Sequence, residues 1–223
     1  MEEIEFVCLA NSWREGGRCI AGIRTNDWLT WIRPVPSGNG PLTEAACRNV
    51  GLFDVVRVEV TGPCPDKYQP ENWELVNDRI RVVRKLSERE QMNVLRAGQT
   101  RGPDLFGNRF DRVPAKDFED HTAAASLATI KPDALEWHVQ VRQRRQVRAR
   151  FELSGVSYDL AVTDPVWHER FDSVQPGSKH PRSFGGVSTK DSVFMTVSMG
   201  APYNESCYKF VAAVFIVYFP ASA

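Results

Sequence analysis

Residues 144–165, RRQVRARFELSGVSYDLAVTDP, constrain the fold more than any other stretch of the chain. Ser154 and Gly155 suit a two-residue hairpin loop, whose residues must take positive φ. With that turn in place, Leu153 pairs with Val156, Phe151 with Tyr158, Ala149 with Leu160 and Val147 with Val162. All eight side chains then share one face, because side chains alternate along a strand and pairing carries the alternation across. The opposite face receives Arg148 and Arg150, with Asp159 directly across from Arg150. A slip of one residue would scatter this pattern. The stretch therefore predicts an antiparallel hairpin with one dry face and one cationic face.

The rest of the chain yields many short strands and little helix. Residues 4–10 form a continuous apolar run that reads as a buried strand. Residues 18–24 and 28–35 predict a second hairpin; a turn at Asn26-Asp27 places Gly22 opposite Trp31, with Arg24 and Arg33 on the same face. A short helix is expected over 42–50, capped by Thr43 or a neighbour, and an alternating strand over 53–60. Short strands follow at 74–76 and 79–83, and Ser87-Glu88-Arg89-Glu90 is a capping box that opens the clearest helix. Residues 98–125 are rich in Gly, Pro and Asp with scattered Phe106, Phe110 and Phe118, and read as a long connection packed down by those rings. Strands are expected again at 126–131 and 133–141, and closing strands at 193–199 and 208–218. Residues 172–191 form a long loop carrying Lys179, His180, Arg182 and Lys190, and loops of this length are often functional.

No βαβ alternation runs through this pattern, so the fold class is mainly β, not a doubly wound sheet. Each half has the size of a five-stranded Greek-key barrel of the oligonucleotide-binding (OB) kind, decorated by short helices. The expected division is a first OB-like barrel at 1–98, a connecting segment at 99–125 and a second OB-like barrel at 126–223.

Lys+Arg and Asp+Glu balance at 28 each, so no global field attracts polyanions and any nucleic-acid site must be a local patch. The five cysteines (8, 19, 47, 64 and 207) form no CxxC and read as reduced, buried thiols. The opening residues, MEEIEF, are acidic and do not read as a signal peptide, and the longest apolar run, 210–219, suits a strand and is too short to cross a bilayer. A soluble, cytoplasmic protein with no membrane partner is expected.

Five phrases carry a family resemblance: CLANSWREGGRCIAG (8–22), WIRPV (31–35), QPENW (69–73), YDLAVTDP (158–165) and SMGAPYNESCYKFVAAV (198–214). In this order, nearly end to end, the chain resembles the bacterial dual OB-containing domain, found in proteins linked to anti-phage and other conflict systems. The resemblance implies two OB folds and, by analogy, binding of nucleic acid or a nucleotide-derived ligand. It supplies no catalytic residues.

The residues themselves offer little for catalysis. The chain lacks a P-loop, G-x-G-x-x-G, G-x-S-x-G and HExxH, and its four histidines are dispersed. His168-Glu169-Arg170 reads as a polar turn, and Asp159 and Asp164 need not share a face, so neither an enzyme nor a cofactor or metal site is expected. Binding chemistry is better represented. Arg142, Arg144, Arg145, Arg148 and Arg150 form a cluster with no acidic residue between Val139 and Phe151. Guanidinium forks match phosphate geometry, so the cluster reads as a phosphate track; the alternative is a solvated face paired with Asp159 and acids of the other half. Trp31 between Arg24 and Arg33 suits base stacking beside the nucleic-acid backbone, or else covers Gly22 in the core. Trp13 and Arg14 are more exposed candidates, and Lys179 and Arg182 add charge from the long loop. The expected function is a non-catalytic module binding single-stranded DNA or RNA, or a nucleotide, in a bacterial defence context, with an effector protein encoded nearby as a further partner. The alternative is a protein-interaction or scaffold module of a defence complex.

Overall fold

The computed structural model describes residues 1–141, 144–184, 187–188 and 191–217. The first sheet holds β1 (Glu2–Arg14), β2 (Gly17–Arg24), β3 (Trp31–Val35), β4 (Asp54–Pro63), β5 (Asn72–Leu75) and β6 (Arg81–Lys85). Its order is β1-β2-β3-β5-β4-β6, and an additional β1–β4 pairing closes the first five strands into a barrel. The β3–β5 pairing is parallel, while its other ladders are antiparallel. β1 serves two neighbours: Glu2–Val7 pairs with β4 and Phe6–Arg14 with β2, across a register shift between Cys8 and Ala10. Ile4, Phe6, Cys8, Ile20, Ile32, Val56, Val58 and Val60 fill the interior. Two helices flank the barrel. α1 (Glu44–Cys47) is capped by Thr43, and α2 (Glu88–Ala97) begins with the Ser87/Glu90 capping box.

The chain then crosses β7 (Arg112–Pro114) and a 3₁₀ turn (Ala115–Phe118) into the second sheet. There β8 (Leu127–Ile130), β9 (Ala134–Val141), β10 (Arg145–Leu153) and β11 (Val156–Val162) precede α3 (Pro165–Glu169), β12 (Lys179–Pro181), β13 (Ser192–Tyr203) and β14 (Ser206–Val217). The order β9-β10-β11-β14-β13-β8 repeats the first barrel once β8 and β9 are taken as one strand broken at Pro132. β8 pairs with β13 and β9 with β10, as the two halves of β1 do, and β11–β14 is again parallel. α1 and α3 occupy the same place, between the third and fourth strands of their barrels. The protein is a mainly β pair of OB barrels.

The β10–β11 register matches the sequence reading from Leu153↔Val156 to Ala149↔Leu160. Ser154 and Gly155 take φ of 49° and 80°, the left-handed pair that a tight hairpin turn demands. The β2–β3 expectation needs correction by one residue. Gly22 faces Ile32, and Trp31 faces Ile23. The connection is longer than a two-residue turn because Asp27 Oδ1 accepts from Leu29 N and Thr30 N, and Arg24 N donates to Thr30 O. Gly22 is required from its other side: a Cβ there would lie 1.8 Å from the Val7 carbonyl oxygen. The polar turn expected at His168-Glu169-Arg170 is instead the end of α3, Pro165–Glu169, with Arg170 as its C-cap. Asp164 caps it by accepting from Trp167 N, with Pro165 at its start. The expected loop at 172–191 contains β12, which adds to the edge of β9. Lys190 and Tyr218 lie outside the described residues.

The barrels share an apolar seam. Val7, Leu9 and Ile23 on the outside of the first barrel meet Phe194, Ala213, Phe215 and Val217 on the outside of the second. Thr196 Oγ1 donates to Leu9 O across it, and Trp13 N donates to Thr163 O. The connecting segment folds onto the second barrel. Lys209 Nζ donates to Asn108 Oδ1 at 2.6 Å and to Phe110 O at 2.8 Å, and the Tyr158 hydroxyl donates to Pro103 O. Phe118 is buried as expected of a packing ring, but Phe110 is 71% exposed.

Candidate ligand-binding face

An OB barrel binds ligands on the outer face of its second and third strands. The two barrels treat that face differently. In the first, alternation along β3 turns Ile32 inward and Trp31 and Arg33 outward. Outward here means into the seam. Trp31 is half-buried against Ala10, Ala21, Leu127 and Ala212. Arg33 is fully buried: its guanidinium donates to Ser126 Oγ at 3.0 Å, to Ser198 Oγ at 3.3 Å and to Asn72 Oδ1 at 3.3 Å. Glu71 lies 3.8 Å from it and accepts from Ser126 N and Oγ, both at 2.6 Å. Arg33 thus clasps the barrels together and presents nothing to solvent, which corrects its reading as a ligand contact. Arg24 stands at the rim, pairing with Glu2 at 3.1 Å with its guanidinium 5.1 Å from the Trp73 ring centre.

In the second barrel the same face is open. Pairing sets Lys179, His138 and Arg148 in one row, and Pro181, Glu136, Arg150 and Asp159 in the next. Asp159 stands across from Arg150 as the sequence reading placed it, and Glu136 from β9 adds a second acid, so the face expected to be cationic is mixed in charge. Asp159 is the hub. It accepts from Arg148 Nε at 2.6 Å and Arg150 Nη2 at 3.3 Å. Burial raises the Asp159 carboxyl, but the Arg148 hydrogen bond and charge, joined by His138 and Arg150, outweigh it and hold it below its ordinary range. His138 lies 3.6 Å from Asp159, yet burial lowers its pKa against the pull of that carboxylate.

The predicted arginine cluster divides by placement. Arg148 is locked by Asp159, its side chain 14% exposed, whereas the Arg150 side chain is 48% exposed. Arg145 donates to Phe171 O and Val174 O and ties down the segment after α3. Arg144 and Lys179 are exposed, and Arg182 is half-buried with no hydrogen-bond partner at Nε. Arg142 lies outside the described residues. The structure thus gathers Arg148, Arg150 and Lys179 on one sheet face, with Arg144 at the start of the same hairpin, and separates them from Trp31 and Arg33.

The histidine weighed for acid–base work and the aspartate weighed for a metal pair have structural tasks. His168 Nε2 lies 2.7 Å from Val162 O, and burial lowers its pKa. Asp164 accepts from Trp167 N and Val214 N, and burial raises its carboxyl against those bonds. Among the described residues no group of three His, Cys, Asp or Glu is placed to hold a metal ion, and no helix is long and apolar enough to cross a membrane. Sequence reasoning missed the polar groups that partner Arg33, although Glu71 and Asn72 stand in QPENW, Arg33 in WIRPV and Ser198 in SMGAPY.

Comparison with known proteins agrees with the architecture. The family model for the dual OB-containing domain matches residues 4–214. No curated protein and no solved structure matches the chain.

Proposed function

The chain belongs to the dual OB-containing domain family, and from that premise we propose that it is a non-catalytic module binding single-stranded nucleic acid or a nucleotide-derived ligand in a bacterial defence setting. One observation carries this reading: the first barrel's binding face is sealed by the seam, while the second barrel's is open and carries Arg148, Arg150 and Lys179. Asp159 orients the Arg148 guanidinium, and Arg144, Arg150 and Lys179 stand exposed. Three phosphate contacts on a single strand correspond to a slope of about −2 in log K against log salt. The acids on the face limit affinity and favour a transient, salt-sensitive complex.

The test is fluorescence anisotropy of labelled single-stranded DNA and RNA at low and moderate salt. Wild type is expected to bind with that shallow slope, and Arg144→Ala/Arg150→Ala/Lys179→Ala to lose both affinity and slope while keeping its circular dichroism spectrum. Wild type without salt-sensitive binding would remove the reading.

A second reading, a protein-interaction module of a defence complex, is favoured by β6. This strand ends its sheet and exposes Val82 (41%) and Val83 (46%), a template for strand addition by a partner. A stoichiometric partner that survives nuclease and is lost in Val83→Lys would support it; a lone monomer in native cells would not.

A further inference from the structure

A cleft of about 640 Å³ opens between the barrels, and Arg148, Arg150, Asp159 and Lys179 of the open strand face do not line it. One wall comes from the first barrel: Asn11, Trp13 and Arg18 on the β1–β2 hairpin, Arg48 after α1, and Lys85 at the end of β6. The other comes from α3 and β14 of the second barrel, with Arg170 at its mouth. Trp13 is 46% exposed, an unusual position for an indole on a strand. It is nevertheless fixed from both sides. Its backbone N–H donates to Thr163 O at 2.8 Å, and its ring meets His168 edge-on with centroids 4.7 Å apart.

The cations around it are also ordered. Asn11 Nδ2 donates to Val50 O at 2.7 Å, while Asn11 Oδ1 accepts from Arg18 Nε at 3.0 Å, so the guanidinium is set in place. Arg170 lies over the Trp167 ring, 4.6 Å from its centre. Arg48 and Lys85 are exposed at the rim. Against these four cations the cleft sets Glu44, Glu169 and Asp164, and Asp164 is 4% exposed with its oxygens taken by Trp167 N and Val214 N. The lining therefore carries one more cation than anion. A preorganised ring beside guanidinium and ammonium groups matches a molecule with a flat aromatic base and phosphates. The volume suits a small ligand, since such pockets span roughly 300–1,000 Å³.

We propose that the cleft between the barrels is a nucleotide pocket, separate from the strand face, in which Trp13 stacks on the base and Arg18, Arg48, Lys85 and Arg170 hold the phosphates of a nucleoside mono- or diphosphate. Because its walls belong to different barrels, an occupant bridges them and stabilises the pair.

Calorimetric titration of the whole chain with ADP, GDP, AMP and inorganic phosphate tests this, with thermal unfolding as a second readout. Nucleotides are expected to bind and raise the unfolding temperature, and phosphate alone to bind more weakly. Stacking on one base corresponds to about 1–3 kcal/mol, so Trp13→Ala should weaken nucleotide binding roughly 5- to 150-fold and leave phosphate binding unchanged. Arg48→Ser/Lys85→Ser removes only exposed side chains and should weaken both, which keeps the test valid if Trp13→Ala misfolds. Nucleotide affinity unchanged in Arg48→Ser/Lys85→Ser, or equal affinity for phosphate and nucleotide, overturns the proposal, as does no binding by wild type. The Arg144→Ala/Arg150→Ala/Lys179→Ala variant separates this site from the strand face: it should lose oligonucleotide binding and keep nucleotide binding. Loss of nucleotide binding in that variant would move the ligand to the strand face and overturn the pocket.

Discussion

Arg33 shows how one residue type serves opposite purposes according to what covers it. An arginine beside a tryptophan on an early OB strand has the chemistry of a nucleic-acid contact, yet here its guanidinium is buried with Glu71, Asn72, Ser126 and Ser198. Removing one partner of a buried pair strands the other, so Arg33→Ala is expected to cost about 3–5 kcal/mol in urea unfolding. A loss well under ~1 kcal/mol would mean that water replaces the guanidinium in the seam. Lys209 carries a second buried charge, 2% exposed and held by Asn108 and Phe110. Burial lowers its pKa from 10.5 to about 8, against the pull of Asp111 and Asp104. A base with a depressed folded pKa binds fewer protons folded than unfolded, so its contribution rises with pH between those two values. The stability difference between wild type and Lys209→Met should therefore shift toward wild type from pH 8 to 10.5, by at most ~1.4 kcal/mol per pH unit. A flat difference would show that the ammonium is solvated.

Elements were most legible where the pattern was local. The β10–β11 hairpin could be read to the residue because a period of two on both strands and a turn at Ser154-Gly155 admit one register. Both turn residues sit at positive φ. Ser154→Asn, which suits that region better, is expected to raise stability by about 0.5 kcal/mol, and Gly155→Val to lower it by about 1–2 kcal/mol, measured by urea unfolding. Equal stability of all three would argue that the turn relaxes to another type. The β2–β3 register could not be read so well, since Asp27 organises a longer loop through its own side chain. α3 escaped because five residues are too few to show a period, although Asp164-Pro165 is a helix-start signal in hindsight.

At the scale of the whole molecule the two barrels share one apolar seam. Phe194, Phe215 and Val217 of the second pack on Val7, Leu9 and Ile23 of the first, and burying a large apolar side chain contributes about 1.5–3 kcal/mol. Calorimetry should show one transition with equal calorimetric and van't Hoff enthalpies, and residues 1–98 alone should aggregate through the uncovered seam. Two separate transitions would contradict a shared core. The sequence by itself determined the strand-rich class, the hairpin with its inward set, the caps of α1 and α2, and the apolar runs at 4–10 and 210–217 that mark strands covered on both faces. Periodicity and capping are local, and so they are written along the chain. What covers an outward face is not. Only the tertiary structure decided that the first barrel's face would be shut by the second, that Glu136 would join Asp159 in tempering the arginines, and that Trp13 would line a cleft between the barrels with Arg170. Those outcomes depend on contacts between residues far apart in the chain, such as Arg33 with Ser198, which no local pattern encodes.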